Sequence, residues 1–186
     1  NNGDFRRDEN MKKFELTTDF IIFYGIKLFR IRALIEFGDV KAGEVGGYIE
    51  KEKNLSQLGE AWVSDNAKVF GEAKVSGNAW VSGKAEVSGN ATVFGNTWIF
   101  GDAKVSGNAE VSGDADYTTI KGFGKICRTT TFFREKDRIA VRCGCFYGGL
   151  DDFREKVKET YKDNKKGKEY LMIADLMEYH FAKEEE

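Results

Sequence analysis

The sequence predicts a mainly β protein: a parallel β-helix with an N-terminal β cap and a small C-terminal ββαα module. A six-residue unit repeats along residues 61–116, an alternating apolar segment precedes it, and two segments of helical periodicity follow it. A period of six matches neither the 3.6 residues of an α-helix nor plain strand alternation, but it fits a coil with three flat sides. We therefore divide the chain into residues 1–10, 11–60, 61–116 and 117–186.

Each repeat unit places two small or aliphatic residues inside the coil and then turns a corner. The aliphatic positions are Val63, Val69, Val75, Val81, Val87, Val93, Ile99, Val105 and Val111. Two residues before each of them stands an alanine, except for Thr97 in the seventh unit. A glycine forms every corner but the first, where Asp65 stands, because tight corners favour residues that tolerate a positive φ. Nine units make three coils with a core of stacked Val and Ala.

This repeat resembles the hexapeptide-repeat family, whose aliphatic-x-x-x-small-x unit forms a left-handed parallel β-helix. Acyltransferases of that family use a histidine as general base, and its γ-type carbonic anhydrases bind zinc through three histidines. The present chain has a single histidine, His180, far outside the repeat. The resemblance therefore implies the fold but transfers no catalytic residue, so we expect no enzyme and no cofactor. A degenerate acyltransferase that binds acyl-CoA without turnover remains an alternative.

All three tryptophans of the chain belong to one outward column of the predicted coils. Trp62, Trp80 and Trp98 are eighteen residues apart, so they stack on successive coils at a spacing of roughly 4.8 Å. Their rings would form an apolar stripe on the order of 500 Å², which is seldom left in water. Either a terminal segment or a second copy covers the stripe, or it binds a protein partner or a carbohydrate. We take the three tryptophans as the candidate partner-binding residues.

The segments on the N-terminal side of the repeat have simpler patterns. Residues 1–10 are polar and unpatterned, which predicts a disordered upstream extension or a remnant of cloning. In residues 28–37, Phe29, Ile31, Ala33, Ile35 and Phe37 alternate with the other side chains, which predicts a strand with one buried face. The glycine-rich stretch that follows is expected to form an irregular first coil that closes the open end of the solenoid.

The C-terminal segment is predicted to begin with a hairpin of residues 129–133 and 138–146, joined by a turn at residues 134–137. Two helical stripes follow, one through Leu150, Phe153, Val157 and Tyr161, the other through Tyr170, Ile173, Met177 and Phe181. Residues 162–168 between them are expected to be a solvated loop.

Four residues of the C-terminal segment are weak candidates for a zinc site: Cys127, Cys143, Cys145 and His180. The usual C-x-x-C knuckle is absent, and cysteines that alternate with Ile and Val are more often packed thiols. We therefore predict no metal.

Composition narrows the class of partner. The net charge is −2 and the acidic residues of the repeat outnumber its lysines, which makes nucleic acid an unlikely ligand. No apolar run approaches 18 residues, so we expect no membrane partner. With three cysteines in no pairing pattern, a reducing cytoplasm is the expected location.

Residues 11–183 as a whole resemble hexapeptide-repeat proteins encoded by phages and prophages of Gram-positive bacteria. The likeness rests on KLFRIRALIEF, the A-x-V-x-G-N hexads, TTTFF and CGCFYGGLDDFREKVKETY. It implies a phage accessory protein in the cytoplasm of an infected host. From this context we hypothesise an anti-defence protein that binds and inhibits a host protein through the rigid β-helix or the C-terminal module. The alternative is a structural homo-oligomer without a partner.

Overall fold

The computed structural model describes residues 11–182, so the predicted disordered extension at residues 1–10 lies outside the described part of the chain. Three layers follow one another along the chain: an N-terminal β cap, a three-sided parallel solenoid, and a C-terminal sheet covered by two helices. The predicted fold class is thereby confirmed.

The solenoid consists of nine short strands, one for each predicted unit. They are β4 (Trp62–Val63), β5 (Lys68–Val69), β6 (Lys74–Val75), β7 (Trp80–Val81), β8 (Glu86–Val87), β9 (Thr92–Val93), β10 (Trp98–Ile99), β11 (Lys104–Val105) and β12 (Glu110–Val111). Each pairs in parallel with the strand eighteen residues away, so that Val63 faces Val81 and Val69 faces Val87. The aliphatic column and the small residues beside it are buried throughout. Asp65, which replaces the first corner glycine, has a φ of 54°, in the same positive region as the φ of 68° at the next corner, Gly71.

The backbone gives the solenoid a direction. The Trp62 N–H donates to the Ala79 carbonyl at 3.0 Å, and the Trp80 N–H donates to the Thr97 carbonyl at 2.8 Å, in the next coil. Because this pattern repeats, carbonyls of the first regular coil, residues 61–78, point out of the N-terminal end. The N–H groups of the last coil point out of the C-terminal end. Each end therefore needs partners of the opposite polarity.

The N-terminal cap contains β1 (Phe14–Phe23), β2 (Ile26–Ala33) and β3 (Val45–Ile49). The predicted strand of residues 28–37 is shorter than expected, because it ends at Ala33 and Phe37 belongs to a turn that pairs with Val40. Strands β1 and β2 form an antiparallel hairpin around Tyr24 and Gly25, both with positive φ. Strand β3 pairs in parallel with β5, and Leu55 bridges to β6, so this segment forms the irregular first coil.

Side chains of the cap donate to the carbonyls at the N-terminal end. The Lys13 ammonium group donates to the Ala61 carbonyl at 2.7 Å. The amide of the fully buried Asn54 donates to the carbonyls of Gly71 at 3.1 Å and Ala73 at 2.9 Å. These groups supply donors at positions where the irregular first coil provides no backbone N–H.

Side-chain oxygens accept from the N–H groups at the C-terminal end. Thr131 Oγ1 accepts from the Lys104 N–H at 2.9 Å, and Glu135 Oε1 accepts from the Asn108 N–H at 3.0 Å. Burial alone would raise the pKa of Glu135, but hydrogen bonds from Tyr147, Arg138 and the Asn108 N–H outweigh it and hold the pKa below its ordinary value. The carboxylate therefore stays charged as a backbone cap.

The C-terminal module has four strands and two helices. They are β13 (Tyr117–Ile120), β14 (Thr130–Arg134), β15 (Ile139–Cys143), β16 (Phe146–Gly149), α1 (Leu150–Tyr161) and α2 (Lys165–Phe181). One face of this antiparallel sheet adds Phe133 and Ala140 to the solenoid core. The opposite face packs Phe132 and Val141 against the helices. The module therefore closes the solenoid and carries a second core of its own.

Two details of the module differ from the prediction. The sheet has four strands rather than two, because pairing recruits the weak strand segment β13 and the glycine-ended β16 to the edges of the expected hairpin. Helix α2 begins at Lys165, inside the expected loop of residues 162–168, because Asn164 caps it by accepting from the Gly167 N–H at 3.0 Å. In the part of the chain that the structure describes, no helix is long and apolar enough to cross a membrane.

Candidate partner-binding site

The tryptophan column exists as predicted, since Trp80 lies between Trp62 and Trp98 in parallel register. The hydrogen bonds of the indole N–H groups fix the ring positions. Trp80 donates to Ser64 Oγ and Trp98 donates to Ser82 Oγ, both at 2.9 Å. Each serine lies sixteen residues earlier, so each ring reaches the neighbouring coil on the N-terminal side. With their N–H groups satisfied within the solenoid, the rings offer mainly apolar surface to a ligand.

Trp62 does not belong to an exposed stripe. Its exposed fraction is 0%, and its ring meets Phe37 of the N-terminal cap in an edge-to-face contact with a centroid distance of 5.4 Å. Gly46 occupies the position sixteen residues earlier and lacks a hydroxyl, and among residues 11–182 the indole N–H of Trp62 has no hydrogen-bond partner. The expected three-ring stripe is thus shortened, because the chain itself covers its first member.

The two remaining tryptophans stay accessible, and a phenylalanine lies beside Trp98. Trp98 is 54% exposed, and Phe100, 58% exposed, lies beside it with a ring-centroid distance of 5.7 Å. Trp80 is half-buried below them. We call Trp80, Trp98 and Phe100 the tryptophan face. It is held by the rigid ladder of coils, so it needs little ordering on binding.

A shallow groove of about 360 Å³ runs along the two tryptophans of this face. Asp39, Asn78 and Asn96 supply its polar side, and the Asn78 amide donates to Asn96 Oδ1 at 3.0 Å. Sequence reasoning missed these polar residues, although the spacing of Asn78 and Asn96 is the same eighteen residues as that of the tryptophans. Aromatic rings beside fixed amides and a carboxylate suit recognition rather than bond making.

The four weak metal candidates do not come together. Cys143 lies at the end of β15, where its sulfur accepts from Thr130 Oγ1 at 3.1 Å, and Cys145 is exposed in the adjoining turn. Cys127 is exposed in a loop, and His180 lies on α2 with its ring against Phe181. Among residues 11–182, no three histidine, cysteine or acidic side chains are grouped so that they could hold a metal ion.

The described residues 61–111 fold as a parallel β-solenoid. Residues 85–101 match a family model described as YdcK beta solenoid repeat, which covers the coil that carries Trp98. No curated protein matches the chain. The similarity therefore concerns the repeat.

Proposed function

We propose that this protein is a non-enzymatic interaction protein that binds a protein partner through the tryptophan face. The observation that carries the proposal is the exposure of Trp98 and Phe100, side by side on a rigid coil. Large aromatic side chains contribute much of the binding energy of protein interfaces, and monomeric proteins seldom expose them in pairs. Binding to a preformed face would also avoid the entropy cost of ordering loops.

The partner that we propose is a host protein in an infected bacterium, and the proposed effect is inhibition of a defence function. The resemblance of residues 11–183 to phage and prophage proteins motivates this choice of partner. The C-terminal module is the alternative location for the same interaction. A rigid surface that occupies the working face of an enzyme or sensor can block it without any chemistry of its own.

The test is affinity capture from bacterial lysate, followed by titration of the purified partner against matched variants. Trp98→Ala removes the most exposed indole, and Thr92→Ala changes an outward side chain on another side of the solenoid. We expect Trp98→Ala to weaken binding by at least about 30-fold and Thr92→Ala by less than about 2-fold. Equal affinity of both variants, with folding verified by circular dichroism, would contradict the proposal.

Two alternatives make different predictions for the purified protein. A structural homo-oligomer would show a mass above the monomer in sedimentation equilibrium at micromolar concentration. A degenerate acyltransferase would be stabilised against heat by acetyl-CoA. A monomer without an acetyl-CoA shift would exclude both of these alternatives.

Carbohydrate binding is a second candidate, and the polar side of the groove favours it. Sugars stack on aromatic rings while their hydroxyl groups bond to amides and carboxylates, and Asn78, Asn96 and Asp39 supply such groups beside Trp80 and Trp98. A glycan array separates the candidates. Glycan binding that Asn96→Ala and Trp98→Ala both abolish would assign the face to sugar, and an empty array would leave the protein partner.

A further inference from the structure

A second groove, independent of the tryptophan face, lies in the C-terminal module. It is enclosed by residues 121–129, the turn between β15 and β16, and helix α1, and its volume is about 360 Å³. Its apolar wall consists of Phe123, Ile126, Phe146, Phe153 and Val157. We call this space the C-terminal groove. Its volume falls within the range that small-molecule sites occupy.

All the charged residues that line the C-terminal groove are basic. Lys125, Arg128 and Lys156 contribute to its lining, and none of its thirteen lining residues is acidic. The whole chain carries 31 acidic and 29 basic residues, so this local excess is not a property of the overall composition. Three cations beside an apolar wall complement a ligand that combines an anionic head with an apolar body.

The basic groups differ in how far they are already engaged. Within residues 11–182, the guanidinium of Arg128 and the ammonium of Lys125 meet no hydrogen-bond or ion-pair partner. The Arg128 side chain lies over Gly144, where a Cβ would overlap it, so the glycine leaves room for the guanidinium. Lys156 pairs with Glu159 at 2.7 Å, and this hydrogen bond raises its pKa. Arg128 and Lys125 therefore remain available to an anion.

The interior of the C-terminal groove is neutral. Tyr170 lines it, and burial raises the pKa of this tyrosine to about 12, so the phenol carries no charge at neutral pH. The Tyr161 hydroxyl accepts from the Lys125 N–H at 3.3 Å, which leaves its own proton free to donate to a ligand. The groove thus places charge and donors beside an uncharged, largely aromatic wall.

We propose that the C-terminal groove binds a small anionic amphiphile, meaning a carboxylate or phosphate attached to an apolar chain. Arg128 and Lys125 would hold the head, since a guanidinium donates two parallel hydrogen bonds to such a group. The apolar part would lie against Phe146, Phe153 and Val157, where it loses contact with water. The two heads share one recognition chemistry, so decanoate and decyl phosphate serve as the probes.

The test is calorimetric titration of the full chain with decanoate, decyl phosphate and the uncharged decanol. We expect either anion to bind at least about tenfold more tightly than decanol, because only the anions engage the cations. Nuclear magnetic resonance should place the shifted amides in residues 121–129 and in α1. Equal binding of the anions and decanol, absence of anion binding, or shifts confined to the tryptophan face would overturn the proposal.

Three variants locate the ligand. Arg128→Gln should weaken decanoate binding about tenfold and leave decanol unchanged, whereas Lys162→Gln, which lies outside the groove, should change neither. Thr160→Trp fills the groove from an exposed position on α1 and should abolish binding of every probe while the melting temperature stays constant. Capture of an acidic protein by Arg128, in a chain that binds no anionic probe, would assign the groove to a macromolecule instead.

Discussion

Asn54→Ala tests whether side chains substitute for a missing coil at the N-terminal end of the solenoid. The amide of Asn54 donates to the carbonyls of Gly71 and Ala73, and its oxygen accepts from the Lys51 N–H at 2.9 Å. The side chain is fully buried, and alanine removes all three of its hydrogen bonds to the backbone at once. The substitution changes a residue of the N-terminal cap and leaves the repeat sequence of residues 61–116 intact, so any loss of stability reports on the cap.

The expected loss of stability follows from how deeply each of the three hydrogen bonds lies. The bonds to the Gly71 carbonyl and the Lys51 N–H are partly buried, so water replaces them at a cost of roughly 0.5–1 kcal/mol each. The bond to the Ala73 carbonyl is buried, so leaving that carbonyl without a donor costs roughly 1–3 kcal/mol of folding free energy. The free energy of unfolding should therefore fall by about 3 kcal/mol.

Urea denaturation measured by circular dichroism gives this free energy, with Asn90→Ala as the matched control. Asn90 is exposed, and within residues 11–182 its side-chain amide bonds only to Asn108 Oδ1, at 3.1 Å, so loss of the side chain should change stability by less than about 0.5 kcal/mol. If Asn54→Ala lowered the free energy of unfolding by less than about 1 kcal/mol, the carbonyls of Gly71 and Ala73 would not depend on the cap. That result would refute the reasoning.

Three further predictions concern other contacts. Gly46→Ala would bring a Cβ to 2.5 Å from the Val63 carbonyl oxygen and 2.6 Å from the Trp62 ring, so it should cost at least about 2 kcal/mol in urea denaturation. Gly113→Ala, which meets open space, should be neutral. Glu135 has a folded-state pKa below its ordinary value of 4.5, so its contribution is complete above that pH and is lost as the pH falls through the folded value. The stability advantage of the wild type over Glu135→Gln in an acid titration should shrink accordingly, and an advantage that is constant with pH would argue against a charged cap. Deletion of residues 78–95 removes one whole coil, and the shortened chain should still unfold cooperatively with a smaller urea m-value. Failure of this chain to fold would show that the coils are not interchangeable.

The repeat was predictable because its signals are local. Val63 and its counterparts mark the inside of every coil, and the corner residues require a positive φ, as Asp65 shows where glycine is absent. Two local signals in the sequence were not recognised as a turn and a helix cap. Tyr24 and Gly25 form the turn of the β1–β2 hairpin, and Asn164 caps α2. Gly25 and Asn164 are residue types that occur at such positions by intrinsic preference.

The rest of the candidate sites depends on contacts between distant segments. Burial of Trp62 requires Phe37 and Gly46 to fold over it, and no spacing within the repeat indicates where that cap lies. The C-terminal groove likewise arises where Arg128 from a loop meets Lys156 from α1. The six-residue period therefore predicts which residues stack in one column of the solenoid. It does not predict which members of a column are exposed to solvent.

Because each end of the solenoid has its own cap, the length of the solenoid can vary only by whole coils. Asn54 caps a carbonyl at one end and Glu135 caps an N–H at the other, so these backbone groups are not open to pairing with a strand of a second copy. Insertion of eighteen residues in the middle would leave both closures intact and would move the two ends apart by about 4.8 Å. The distance between the N-terminal cap and the C-terminal groove can thus change only in whole coils.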